Sequence, residues 1–247
     1  MQKLINTEKL SVEVQNKIIP FFNQLLTIHN EDIVSAAIYG SATGINYNPK
    51  SSNINCVLIV KTWSFALLEK SLKEVSLGLK QNIAPPLILT KEYIASSCDV
   101  FPIEFLDIKE NHILLYGEDV FTTLEINKSY IRLFCEQQIK GKLITISQAY
   151  LEVGLDRGKL RTLLQKSLNA LIPIFRNLIR LKGQHPSIEK QKIIEDLSRE
   201  FQLDSNRLIE IYQAAIQEHK CGDQKVVEHF QGFLNELKKL SIAIDQL

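Results

Sequence analysis

The stretch of sequence that decides the fold runs from Ile33 to Val60. It opens with the apolar run IVSAAIYGS (33–41), continues through the polar segment ATGINYNPKSSN (42–53) and ends with INCVLIV (54–60). Both apolar runs are short, largely aliphatic and bounded by turn-forming residues, so each predicts a buried strand. A strand that ends with Gly40-Ser41 at the start of a helix can form a binding site for a phosphate group. The glycine permits close approach to the backbone, and the serine hydroxyl and helical N–H groups can hold the anion.

The second strand opens with two polar residues, Asn53 and Asn55. Strand side chains alternate between faces, so these two are expected on one face, close to the Gly-Ser pair. Two aspartates at such positions, joined by a carboxylate from a later strand, would hold two Mg²⁺ ions around a triphosphate. Both positions here carry neutral amides instead.

The remainder of the first half alternates helical and extended patterns around these strands. The predicted order is αββαβ(α)β, which gives an α/β (α+β) fold with a small mixed sheet. We predict helices at 11–29 (capped by Ser11), 63–82 and 92–97, strands at 87–90 and 101–108, and a turn at 109–111. The prediction of a helix at 63–82 is based on apolar residues three and four positions apart: Phe65, Leu68, Leu72, Val75 and Leu79.

From Lys128 onward the pattern is helical throughout. Five helices are predicted, separated by Gly, Pro and Asp breaks, which indicates an α-helical bundle. Their expected ranges are 129–153, 157–182, 188–201, 205–220 and 223–244. The chain is therefore predicted to contain an α/β domain at 1–126 and a helical domain at 127–247.

Composition limits the classes of function. The net charge of +1 does not indicate general binding to nucleic acids or to anionic membranes. The polar N-terminus does not resemble a signal peptide, and no apolar run approaches the length of a membrane span. The four cysteines form no CxxC pair. We therefore expect a cytoplasmic protein with reduced thiols.

Three segments resemble known sequences. GSATGINYNPKSSNINCVLIV (40–60) resembles the Gly-Ser motif and second strand of the nucleotidyltransferase superfamily, which has the DNA polymerase β-like fold. DVFPIEFLDIKENHILLYGEDVFTTLEI (99–126) resembles the later-strand region of a bacterial, largely uncharacterised nucleotidyltransferase-like family. FCEQQIKGKLITISQAYL (134–151) is similar to the long helix that opens its C-terminal helical domain.

The resemblance implies roles for particular residues. Gly40 and Ser41 would bind the nucleotide, and Asn53 and Asn55 would stand where active members carry the D-x-D aspartates. An active member would use Mg²⁺ with a nucleoside triphosphate.

The third carboxylate of the metal site is then expected at Glu104, with Asp107 as the alternative. On the predicted 101–108 strand these two residues would face opposite sides, so only one of them could serve.

Three functions follow from this pattern. The first is a nucleotidyltransferase-fold protein with a degenerate metal motif, weakly active or inactive, that binds a nucleotide or phosphate in a regulatory role. The second is an active Mg²⁺-dependent enzyme that moves an NMP group to a small-molecule or protein hydroxyl, and it requires Glu104. The third is an interaction module whose partner is another protein or a second copy of the chain.

Two smaller clusters receive structural interpretations. His219, Cys221 and His229 lie close together, but they straddle a helix break and supply no fourth zinc ligand. Glu118-Asp119 follows Gly117 and predicts an acidic turn.

Overall fold

The computed structural model of the protein describes residues 3–44, 47, 52–216 and 223–247. The chain divides into two compact units, Met1–Asn127 and Lys128–Leu247. Across the described ranges, no helix combines the length and hydrophobicity needed to cross a bilayer.

The first unit combines helices with a four-stranded sheet. Its elements are α1 (Val12–His29), β1 (Ile33–Tyr39), β2 (Asn55–Val60), α2 (Phe65–Leu79), β3 (Leu87–Leu89), α3 (Lys91–Ser96), α4 (Pro102–Glu110) and β4 (His112–Gly117). The strand order is β3-β2-β1-β4. Strand β1 runs antiparallel to both β2 and β4, whereas β2 and β3 are parallel. The predicted small mixed sheet is therefore confirmed.

Helix α1 begins as the sequence predicts. The Ser11 hydroxyl accepts a hydrogen bond from the Val14 N–H at 3.3 Å, which satisfies one of the free donors of the first turn. Pro20 lies inside the helix without ending it. The buried side chains of α1 recur at helical spacing, and this face packs against the sheet: Val14, Ile18, Phe21, Phe22 and Leu25.

The sheet is buried on both faces because helices cover each of them. On the α1 face, Ile38 of β1 and Leu58 of β2 belong to one apolar cluster. On the opposite face, Val57 and Ile59 of β2 contact residues of α3 and α4, among them Phe105. Since both faces are apolar, β1 and β2 appear in the sequence as near-continuous hydrophobic runs.

One predicted element is wrong. Residues 101–108 do not form a strand, because Pro102–Glu110 is the helix α4. Pro102 occupies the first turn, where its missing N–H costs nothing, and Phe105 and Ile108 are buried three residues apart. The fourth strand is instead β4, which begins directly after the predicted turn at 109–111 and pairs with β1.

The second unit contains helices at the five predicted places within the described residues, while positions 217–220 of the fourth predicted helix lie outside them. The helices are α5 (Lys128–Val153), α6 (Arg157–Leu181), α7 (Lys190–Phe201), α8 (Ser205–Ile216) and α9 (Asp223–Asp245). Asp156 caps α6, since its carboxylate accepts from the Lys159 N–H at 3.0 Å. Phe233 of α9 is fully buried, and Lys140 of α5 forms a 2.9 Å ion pair with Asp245 of α9.

Candidate functional site

The carboxyl end of β1 turns sharply at Gly40. This residue has φ +76°, in the left-handed region that glycine adopts without strain. Its N–H donates to the Asn111 carbonyl at 3.0 Å, and its own carbonyl accepts from the Thr43 hydroxyl at 2.7 Å. Gly40–Thr43 forms a short 3₁₀ helix rather than the start of a longer helix. A phosphate there would therefore meet fewer aligned N–H groups than the sequence predicts.

Asn55 lies directly beside Gly40. Its Nδ2 atom is 3.4 Å from the position that a β-carbon at residue 40 would occupy. The register of the sheet explains this proximity, because Asn55 pairs with Tyr39, the residue before the glycine. The predicted neighbourhood of Gly40 and Asn55 is thus present in the structure.

Asn53 lies just outside β2 and is exposed. Ile54, between the two asparagines, is fully buried. This alternation is the one that the sequence predicts for the mouth of the strand, where Asn53 and Asn55 share a face. Ser41 is half-buried at the adjacent turn.

The expectation for Glu104 and Asp107 has to be corrected. Both lie on α4, not on a strand, and both are exposed. Residues three apart on a helix are neighbours on its surface, so they do not face opposite sides as a strand would require. The strand on which one of these two residues is expected to supply the third carboxylate is therefore absent at these positions.

Tyr39 and His112 lie in register with Asn55 across the sheet. Neither of them is placed in the site by the sequence alone. Tyr39 pairs with Asn55 on one side and with His112 of β4 on the other. The His112 Nε2 atom is 3.0 Å from Asp119 Oδ1, and its Nδ1 is 2.9 Å from the Ile108 carbonyl oxygen. Because both ring nitrogens are hydrogen-bonded within the fold, the ring of His112 is held in place next to Tyr39.

Asp119 organises the turn that follows β4. Its Oδ1 atom accepts hydrogen bonds from the Phe121 and Thr122 N–H groups at 3.2 and 3.0 Å. Burial acts to raise the pKa of Asp119, but hydrogen bonds from Thr122 and His112 outweigh it, so the pKa is lowered overall. This geometry agrees with the predicted acidic turn and indicates a structural role for the carboxylate.

The donor atoms present do not fit a pair of magnesium ions. Within the described residues, no three His, Cys, Asp or Glu side chains are grouped so that they could hold a metal. Asn53 and Asn55 offer only neutral oxygens, and charge on the ligands largely sets the affinity of oxygen sites for divalent cations. For the zinc hypothesis, His219 and Cys221 lie outside the described residues.

The buried cysteines are not candidate nucleophiles. Burial raises the pKa of the Cys56 and Cys135 thiols to about 12. Thiols with such a pKa stay protonated at neutral pH, and the thiolate is the reactive form.

A separate cavity of about 480 Å³ lies at the other end of the β2–β3 pair. Its lining residues are Trp63, Ile88, Leu89, Thr90 and Tyr93. Leu89 pairs with Ile59, four residues along β2 from Asn55. Four residues of strand span roughly 13 Å, so this cavity is distinct from the Gly40 turn.

Comparison with known proteins identifies the fold. No protein-family model matches the sequence, and no curated protein matches it. Among solved structures, the chain is similar to the spectinomycin adenyltransferase AAD(9) from Enterococcus faecialis, whose crystal structure contains ATP and spectinomycin. The TM-score is 0.51 and the identity 13%, over 89% of this chain and 98% of that chain. The chain therefore has a nucleotidyltransferase-like fold.

Proposed function

We propose that this protein binds a nucleotide, or another phosphate compound, at the Gly40 turn without efficient nucleotidyl transfer. The observation that carries the proposal is the amide of Asn55 beside Gly40. A working two-metal site needs carboxylates at this place, because they offset the charge of the cations that position the triphosphate.

An amide at position 55 changes the chemistry of the turn in two ways. It removes a negative charge that would repel phosphate in the absence of metal, and it supplies an N–H₂ donor that a carboxylate lacks. The Gly40 N–H is already bonded to Asn111. The donors for a phosphate would therefore be the Ser41 hydroxyl, the Asn55 amide and the N–H groups of the turn.

The similar adenyltransferase was crystallised with ATP, which makes a nucleoside triphosphate the first ligand to test. We expect ATP, GTP, CTP or UTP to raise the melting temperature of the protein to the same extent with Mg²⁺, with Mn²⁺ and without metal. At about one hundred times its dissociation constant, a ligand stabilises the fold by roughly 2.7 kcal/mol, which is readily measured. A shift that requires Mg²⁺, or efficient transfer of an NMP group by the natural protein, would contradict the proposal.

A charge-restoring variant tests the physical reason. Replacing both asparagines, Asn53→Asp with Asn55→Asp, should weaken metal-free nucleotide binding and introduce a dependence on Mg²⁺ or Mn²⁺. Asn16→Asp is the control, because Asn16 is exposed on α1 and the same type of substitution there adds one negative charge away from the turn. If the double variant binds nucleotides as the natural protein does, the turn is not the binding site.

A further inference from the structure

Helix α2 packs on α1 through small residues. A β-carbon added at Gly78 would lie 2.8 Å from a ring carbon of Phe21, so no larger side chain fits there without movement. Seven residues earlier on α2, the hydroxyl oxygen of the buried Ser71 is 2.8 Å from the Nε2 atom of His29. The two helices therefore approach closely at Ser71 and Gly78, and the buried Leu67 adds a large apolar side chain to the same inward face of α2.

Most of the other large apolar side chains of α2 lie on a different face. They recur at alternating intervals of three and four residues, the spacing of a helix–helix seam. We define the α2 stripe as Phe65, Leu68, Leu72, Val75 and Leu79. Phe65, Leu72 and Leu79 are 66, 65 and 53% exposed, whereas Leu68 and Val75 are half-buried at its edge. Contiguous exposed apolar surface of this kind marks interaction sites.

We propose that the α2 stripe is the interface of a symmetric dimer of this chain, in which the two α2 helices run antiparallel. A two-fold interface uses one surface twice, so the stripe must complement itself. Glu69 and Lys73, both exposed, lie about 40° apart on the same border of the stripe, as the 3.6-residue turn requires.

The charges on this border select the antiparallel arrangement. With the two-fold axis at Leu72, Glu69 of one copy lies within about 3 Å, along the helix axis, of the level of Lys73 in the other copy. Symmetry repeats this pair, so two ion pairs lie along this one edge of the seam. A parallel arrangement would instead place Glu69 against the border that carries Ser71 and Gly78, which are buried and offer no opposite charge.

The size of the stripe predicts a dimer that dissociates on dilution. A helix of 15 residues is about 22 Å long, and one such pair buries less than a standard interface of roughly 800 Å² per partner. Sedimentation velocity without nucleotide, on the full chain, should therefore show a monomer–dimer equilibrium that shifts with protein concentration.

The first variant removes an apolar contact at the axis. Leu72→Glu should raise the dimer dissociation constant at least about tenfold, because two carboxylates would meet at the two-fold axis. Leu133→Glu is the matched control, since Leu133 is 57% exposed on α5, and it should leave the equilibrium unchanged. Circular dichroism melting curves verify that both variants are folded.

The second variant tests the direction of pairing. Glu69→Lys should weaken the dimer, and Lys73→Glu added to it should restore the dimer, because the swapped charges again meet their opposites. A protein that stays monomeric at several hundred micromolar, a dimer that survives Leu72→Glu, or a charge swap that restores nothing would each overturn the proposal. Since no nucleotide is present, these outcomes leave the nucleotide-binding proposal untouched.

Discussion

At the scale of single residues, Gly40 and Gly117 share a positive φ but differ in the space around them. Among the described residues, a β-carbon at Gly40 would meet only Asn55 Nδ2, at 3.4 Å, whereas one at Gly117 would lie 2.0 Å from the Val34 carbonyl oxygen. Gly40→Ala should therefore cost about 1–2 kcal/mol of unfolding free energy from backbone strain alone. Gly117→Ala should cost more than about 4 kcal/mol, because the β1–β4 pairing must also move.

Urea unfolding of both variants measures this difference. If both variants lose the same free energy of unfolding, the close approach of Gly117 to β1 adds nothing to the cost of the substitution. Binding adds a second readout, since Gly40→Ala changes the turn proposed to hold phosphate. Gly117 lies at the far end of β4 from His112, so a Gly117→Ala protein that remains folded should still bind.

At the scale of elements, the contact between α1 and α2 should make stability depend on pH. Burial lowers the pKa of His29, the charge of Lys70 adds to this, and Asp32 opposes it. The Ser71 hydroxyl donates to the Leu67 carbonyl at 2.9 Å, so its oxygen accepts from neutral His29. Below the ordinary histidine pKa of about 6.5, His29 becomes protonated in the unfolded chain. In the folded chain it stays neutral until the pH approaches its lowered pKa.

Stability should consequently fall as the pH decreases from about 6.5 toward the lowered pKa of His29, by at most about 1.4 kcal/mol per pH unit. His29→Gln keeps a donor for Ser71 but removes the titration, so its stability should fall less over this range. The exposed His185 provides the control, through His185→Gln. A pH dependence that is unchanged in His29→Gln would exclude His29 as its source.

The elements also show what periodicity can and cannot predict. The helices of the second unit follow from their periodic patterns, and β1 and β2 follow from their apolar runs. Residues 101–108 were less informative, because Ile103 and Phe105 alternate as in a strand while Phe105 and Ile108 also fit a helix. In α2, the stripe predicts a helix but not its orientation. The tight packing of Gly78 on Phe21, a tertiary contact, turns the stripe outward.

The same distinction applies to the candidate site. Gly40 and Asn55 meet because the consecutive strands β1 and β2 pair antiparallel; the sequence predicts both strands and this proximity, but not the pairing. His112 joins their row only through the pairing of β4 with β1, and two other strands separate this pair in the sequence. Long-range pairing of this kind has no local sequence signal, so the support of the site could not be predicted.

At the scale of the whole molecule, the two compact units should unfold in separate steps. Trp63, the only tryptophan, belongs to the first unit, so its fluorescence reports that unit alone. Most helical residues belong to the second unit, which therefore dominates the far-UV circular dichroism. If each unit is held by its own core, the two probes should give transitions that do not coincide in urea.

Paired variants assign each transition to its unit. Gly117→Ala should move mainly the fluorescence transition. Phe233→Leu, at a fully buried position in the second unit, should move mainly the circular dichroism transition, by roughly 1–3 kcal/mol for the lost packing. Should both variants shift both probes together, the units would form one cooperative structure. In that case a nucleotide bound at Gly40 would also shift the circular dichroism transition of the second unit. If the units are independent, the nucleotide should shift only the fluorescence transition.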